Sequence, residues 1–179
     1  MTNKNTSASR VIYFDMDGVL APFFQNVTTE QLNESGYFKN LPANKEVCEA
    51  VSKLLKIAPN YGYKIMIASK VLSDKAATEK RLWLDSEISP DIEAIFIPID
   101  RDKGDYIKNS KSSCLIDDYS PNLMSWDGVG IKAYTGENGT KGTWAKRKGA
   151  FIDTRWTAEQ ICESILEIIE NSCRHNISA

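Results

Sequence analysis

Apolar residues recur along this chain in two alternating rhythms. Val11–Phe14, Tyr63–Ala68, Ala94–Pro98, Cys114–Ile116 and Val129–Tyr134 are short apolar runs rich in β-branched and aromatic residues, and they predict five buried strands. Between them, apolar positions fall at helical spacing. Val47, Ala50, Val51, Leu54 and Leu55 make the stripe of a helix from Ala43 to Ile57, opened by Pro42 and closed before Gly62. Ser73 caps a second helix running to about Ser86, and a short helix covers Gly104 to Asn109. Thr157 and Gln160 form a capping box ahead of Ile161, Ile165, Leu166, Ile168 and Ile169.

Strands alternating with helices predict an α/β fold of Rossmann-like, three-layer form, with a central parallel sheet covered on both faces. One domain is expected over residues 11–173, with a short cap insert at about 22–41 after the first strand. Polar tails are expected at 1–10, read as disordered, and at 174–179. In such sheets a ligand lies beyond the carboxyl ends of the strands. Chain order then brings distant residues to one rim: Asp15 after the first strand, Ser69 after the second, Lys103 just past the third, and Asp117-Asp118 after the fourth.

Composition narrows the partners. A formal net charge of -2 gives no broad electrostatic case for a large nucleic acid, so a small anionic substrate would need a local positive site. No apolar run approaches membrane-spanning length, and the polar start lacks the apolar core of a signal peptide. Cys48, Cys114, Cys162 and Cys173 form no close pair with metal-ligand spacing, which suits buried free thiols and a cytoplasmic setting. The only histidine, His175, falls in the expected C-terminal tail, so acid–base work falls to carboxylates. Self-association into a homo-oligomer is left open.

The rim carries the parts that phosphoryl transfer needs. Asp15 can attack phosphorus. Asp17 can protonate the leaving oxygen and later activate water. Gly18 permits a sharp exit from the strand. Ser69 can hydrogen-bond a phosphoryl oxygen, and Lys103 can neutralise the phosphate and hold Asp15 ionised. Asp15 with one member of Asp117-Asp118 offers the hard oxygen ligands that Mg2+ prefers, and spacing does not choose between the two. Taken singly, each feature also fits an ordinary turn or surface; the case lies in their order at successive strand ends.

Phe14-Asp-Met-Asp-Gly-Val-Leu20, Ser69 after Ile65-Met-Ile-Ala68, Lys103, and Leu115-Ile-Asp-Asp118 resemble the four motifs of the haloacid dehalogenase-like phosphatases. Arg101-Asp-Lys103, Leu41-Pro42, Ile131-Lys132 and Gly139-Thr-Lys-Gly-Thr-Trp144 are similar to the 5'(3')-deoxyribonucleotidase group. The resemblance spans roughly Val11 to Trp144, by motif. It implies a nucleophile and metal ligand at Asp15, and at Asp17 an acid–base whose backbone carbonyl binds Mg2+. It implies Asp118 as the second carboxylate ligand, with Asp117 beside it and Asn122 as an outer partner through water. It also implies that Phe23, Tyr37 and Phe38 face the substrate, where stacking on a base competes with plain packing of the cap. Two features depart from the group. Ala68 stands where a hydroxyl usually precedes Ser69, and the segment from Ala21 to Leu41 is too short for a full helical cap.

The expected activity is hydrolysis of nucleoside monophosphates through an aspartyl-phosphate. The alternatives are a phosphatase for another small ester, such as a sugar phosphate, and a non-catalytic phosphate-binding or signalling module. Receiver domains share the residue types but put the acidic pair after the first strand and the nucleophile after the third, the reverse of this order. Gly136 to Trp144 could wrap a phosphate with backbone N–H groups, though a surface loop after the fifth strand explains the same composition.

Overall fold

The computed structural model describes residues 10–24, 26–108, 110–136, 138, 144 and 149–177. Its centre is a six-stranded sheet: β1 (Arg10–Phe14), β2 (Tyr63–Val71), β3 (Glu93–Pro98), β4 (Cys114–Asp117), β5 (Val129–Tyr134) and β6 (Ala150–Asp153). All neighbours pair parallel, in the order β3-β2-β1-β4-β5-β6. The helices are α1 (Thr29–Leu32), α2 (Lys45–Ile57), α3 (Asp74–Glu87), α4 (Lys103–Tyr106), α5 (Ser120–Met124) and α6 (Ala158–Ile177).

The two faces of the sheet are sorted by strand alternation. Ile12, Phe14, Ile65, Ile67, Cys114, Ile116, Ile131 and Ala133 join one core with residues of α2, α3 and α6. Tyr13, Ala68, Ile97 and Leu115 point to the other face, where Ile107, Leu123 and Trp126 cover them. Helices on both faces of a parallel sheet make this a Rossmann-like three-layer fold.

Several boundaries differ from the sequence reading. β1 begins at Arg10, inside the expected tail, because Arg10 pairs with Tyr63; residues 1–9 lie outside the described residues. α2 starts two residues later than expected, with Asn44 as its N-cap: the Asn44 carbonyl accepts Cys48 N at 3.0 Å, while its non-helical backbone lets its N–H donate to Leu20 O at 2.8 Å and its Nδ2 to Val19 O at 2.7 Å. The strand β6 was not anticipated. It is a short edge strand on which only Ala150-Phe-Ile152 is apolar and Phe151 is exposed. α6 runs through Ile177, past residue 173, so His175 lies on a helix and not in a tail. α4 covers a single turn and includes Lys103 itself.

The chain moves outward from β1 to β3, then returns to β4 on the other side of β1. That reversal makes the β1–β4 gap a topological switch point, where open α/β sheets bind ligands. Among the described residues, no helix is long and apolar enough to cross a membrane.

Candidate active site

Asp15 leaves β1 with its N–H bonded to Ile116 O at 2.9 Å, which holds the chain against β4 for one more residue. The pairing of Phe14 with Ile116 sets Asp15 level with Asp117. Met16 N then donates to Asp15 Oδ1 at 2.7 Å. Gly18 turns the chain at φ +77°, and a Cβ there would sit 2.3 Å from the carboxyl carbon of Asp118. Glycine is required twice over, for the left-handed turn and for the close approach.

Lys103 is fully buried between two carboxylates, 3.0 Å from Asp15 Oδ1 and 2.7 Å from Asp117 Oδ2. Burial alone would lower its pKa. Asp117 and then Asp15 outweigh that, and the net direction is upward, so the ammonium persists.

The adjacent carboxylates Asp117 and Asp118 have opposite surroundings. Asp117 is fully buried and accepts from Lys103, from Tyr119 N at 2.8 Å and from Asn122 Nδ2 at 2.9 Å. Asp118 accepts nothing on its carboxylate from the described residues, and only its backbone carbonyl is held, by Lys132 and by Asn138 Nδ2 at 3.1 Å. Burial, then Asp117 and Asp15, push the Asp118 carboxyl up to about 8. One oxygen each from Asp15, Asp117 and Asp118 lie within 4.8 Å of one another. Three carboxyl groups around one buried ammonium offer hard oxygens that a divalent cation could take in place of the proton that burial favours on Asp118. Since Asp117 and the Oδ1 of Asp15 are committed to their donors, Asp15 Oδ2 and the Asp118 carboxylate are the oxygens that could bind the cation. Asn122 bonds Asp117 directly, where a water-mediated outer role was expected.

Ser69 is fully buried, and the strand does not end there. β2 continues to Val71 because β3 keeps pairing with Ser69, Lys70 and Val71. β1 stops two positions short of that level, so Ser69 still borders the rim on the β1 side. Ala68, the residue that departs from the usual hydroxyl before Ser69, packs with Tyr13, Ile97 and Leu115 on the other face.

Asp17 pairs with Lys80, a buried lysine on α3 that the sequence reading missed. Lys80 also donates to Ser69 Oγ at 3.0 Å and to Lys70 O at 2.8 Å. Burial raises the Asp17 pKa against the pull of Lys80, a direction that would suit a proton donor. A signal for Lys80 existed. Ala76, Glu79, Lys80, Trp83 and Leu84 form one helical stripe, so two charged residues occupy core-facing positions.

Residues 22–41 cover this side of the rim with the one-turn helix α1 and a 3-10 turn at Phe38–Asn40. Glu79 accepts the backbone N–H groups of Gly36 at 2.7 Å and Phe38 at 3.1 Å, and Trp83 Nε1 donates to Leu41 O at 2.8 Å. Phe23, Tyr37 and Phe38 line a cavity of about 240 Å³ with Asp17, Lys70 and Lys80. Their situations differ. Phe23 is 54% exposed, whereas Phe38 is buried, with Tyr37 edge-on at 5.0 Å and Lys80 Nζ 4.7 Å from its ring centroid. Phe38 thus combines packing under the cap with a place in the cavity wall. A larger cavity of about 480 Å³ opens at the other end of β2 and β3, beside Tyr63 and Glu93, away from the carboxylates. Of the Gly136 to Trp144 stretch, residues 137 and 139–143 lie outside the described residues.

No family model matches the chain, and no curated protein matches it. Among solved structures, a chain of the Pnkp1/Rnl/Hen1 complex is similar at 18% identity and a TM-score of 0.44, over 74% of this chain and 50% of that one. The present chain thus spans about half the length of that neighbour, and a likeness at this level carries no argument about activity.

Proposed function

We propose that this protein is a magnesium-dependent phosphomonoesterase of the haloacid dehalogenase-like type, acting on nucleoside monophosphates. The observation that carries the reading is the division of labour at the switch point. Lys103 bridges Asp15 and Asp117, Asp117 is saturated, and the Asp118 carboxylate, close to Asp15, accepts no hydrogen bond from the described residues.

In this reading an Asp15 oxygen attacks phosphorus and the ester P–O bond breaks, with the proton of Asp17 passing to the leaving oxygen. Asp17, now a carboxylate, takes a proton from water as that water attacks the aspartyl-phosphate, which releases phosphate and frees Asp15. Lys103, paired with Asp15, places positive charge beside the attacking oxygen, and Ser69 donates to a phosphoryl oxygen. Asp15, Asp118 and the Asp17 carbonyl would hold Mg2+, whose charge offsets that of the phosphoryl oxygens. The cavity beside Asp17 is walled by aromatic and aliphatic side chains, which favours a nucleoside leaving group over a sugar. Among these, deoxyribonucleotides are the proposed preference, on the resemblance of Arg101-Asp-Lys103 and Leu115-Ile-Asp-Asp118 to the deoxyribonucleotidase group. The cytoplasm is the proposed compartment, in keeping with buried free thiols at Cys48, Cys114 and Cys162.

The test is phosphate release from ribo- and deoxyribonucleoside monophosphates, sugar phosphates and p-nitrophenyl phosphate, with Mg2+ and with EDTA. Nucleotides should lead, and EDTA should abolish turnover reversibly. Equal cleavage of sugar phosphates would remove the nucleotidase reading, and no turnover on any ester would remove the phosphatase reading.

A further inference from the structure

Burying an ammonium costs several kcal/mol unless its hydrogens find good acceptors. Lys80 is 1% exposed, and each of its three hydrogens has one: Asp17 Oδ2, Ser69 Oγ and Lys70 O. The Phe38 ring covers the ammonium from the cap side. The bond to Ser69 satisfies one of the ammonium hydrogens and also fixes how the Ser69 hydroxyl is used. A lysine donating into Ser69 Oγ occupies a lone pair and leaves the hydroxyl hydrogen to donate elsewhere. Its bond to Asp17 Oδ2 likewise leaves Oδ1 as the oxygen that can hold a proton. The preceding residue, Glu79, grips the cap backbone at Gly36 and Phe38. Consecutive residues of one helix therefore hold the cap and the acid–base carboxylate.

We infer that Lys80 is a positioning residue: it aims Asp17 Oδ1 at the leaving oxygen and the Ser69 hydroxyl hydrogen at the phosphoryl group, and with Glu79 it ties both to the cap. The chemical half of this inference rests on the proposed phosphomonoesterase activity, and the positional half rests on geometry alone.

Two measurements on Lys80→Met test it. The first is a leaving-group series. Protonation matters little for p-nitrophenyl phosphate and greatly for nucleoside or alkyl phosphates. Lys80→Met should lower kcat about 100-fold on the latter and less than about 5-fold on the former, the scale of losing an aligned general acid. Lys80→Arg should recover part of the loss on the poor leaving groups. A uniform fall across all esters would mark a merely structural lysine and overturn the inference. The second measurement is a crystal structure of Lys80→Met beside the wild type, in which Asp17 and Ser69 should change rotamer. Unchanged positions would overturn the inference whatever the activity. If the wild type cleaves no ester, the functional reading fails while this second measurement still decides the positional half. If Lys80→Met does not fold, Glu79→Gln serves. It offers one acceptor oxygen in place of two, so one cap N–H is released, and KM for nucleotides should rise about 3–10-fold with kcat less affected. An unmoved Phe38 with unchanged KM would remove the tie to the cap.

Discussion

The carboxyl rim and the cap meet at Asp17 and are held in place by opposite means. The rim is built from charge: Lys103 lies between Asp15 and Asp117, and strand register sets the level of each. The cap has little secondary structure of its own and is fastened from outside, by Glu79 and Trp83 reaching across from α3. Damage to the rim should therefore cost chemistry or leave a buried charge unpaired. Damage to the cap should cost packing or substrate affinity and leave the chemistry in place.

The largest expected effect is on the rim. Asp15→Asn keeps the shape and removes the proposed nucleophile, so turnover should fall by about 10⁴-fold or more, with the urea midpoint little changed. Asp17→Asn should leave nucleotide binding largely intact and slow the chemical step by about 10²–10⁴-fold. Phosphate release under saturating substrate measures both. Substantial turnover in Asp15→Asn would remove covalent catalysis at that residue.

Stability separates the regions next. Lys103→Met leaves Asp15 and Asp117 buried without their cation, and breaking such a pair costs about 3–5 kcal/mol. Phe38→Ala opens a hole under the cap and should cost about 3–5 kcal/mol as well, through lost packing. Urea denaturation reads both, and pH tells them apart. Acid should narrow the Lys103→Met deficit by protonating the stranded carboxylates, and should leave the Phe38→Ala deficit as it is.

The same contrast explains what was legible in the sequence. Asp15, Lys103, Asp117 and Asp118 could be placed because each follows an apolar run, and a parallel sheet delivers strand ends to one rim. The choice between Asp117 and Asp118 was not legible, because it depends on which carboxylate Lys103, Tyr119 and Asn122 reach. Lys80 and Glu79 escaped because their partners are distant: Lys80 lies 63 residues from Asp17, and Glu79 lies 43 from Gly36. An inward-facing charged pair on α3 says that partners exist without saying where. Phe23 and Phe38 looked equivalent as aromatics flanking a cap, and only the fold divides them into exposed and buried.

A smaller effect sharpens the difference between the two acidic neighbours. The Asp118 pKa in the fold is raised from 3.8 to about 8, chiefly by burial. Its contribution to stability is whole below the unfolded value, declines as pH rises, and is lost once pH passes the folded value. Metal-free protein should therefore lose stability between about pH 4 and pH 8 through this group. Asp118→Asn should flatten that decline and raise the metal-free Tm at pH 8.5 by about 2–4 °C, the scale of about 1 kcal/mol in a domain of this size. Mg2+ should raise the wild-type Tm more at pH 8.5 than at pH 5.5, and should not raise that of Asp118→Asn. An equal Mg2+ shift in wild type and variant would exclude Asp118 as a ligand.

The smallest structural effect is expected at Phe23, and it discriminates most sharply between readings of the cap. More than half of Phe23 is already exposed, so truncating it to alanine should change stability by no more than about 0.5 kcal/mol. It nevertheless lines the cavity that opens beside Asp17, where a leaving group would lie. If a base stacks there, that contact is worth about 1–3 kcal/mol, and KM for nucleotides should rise by roughly one to two decades. A small aryl phosphate depends mainly on the phosphate contacts and should lose little. The pairing with Phe38→Ala is what gives the test its force. Both substitutions remove the same ring from the same cavity, but only Phe38 also supports the cap and covers Lys80. A nucleotide-specific rise in KM at Phe23 with stability intact would assign the exposed ring to substrate. If Phe23→Ala leaves the KM for nucleotides unchanged, stacking is absent and the cavity selects by shape alone.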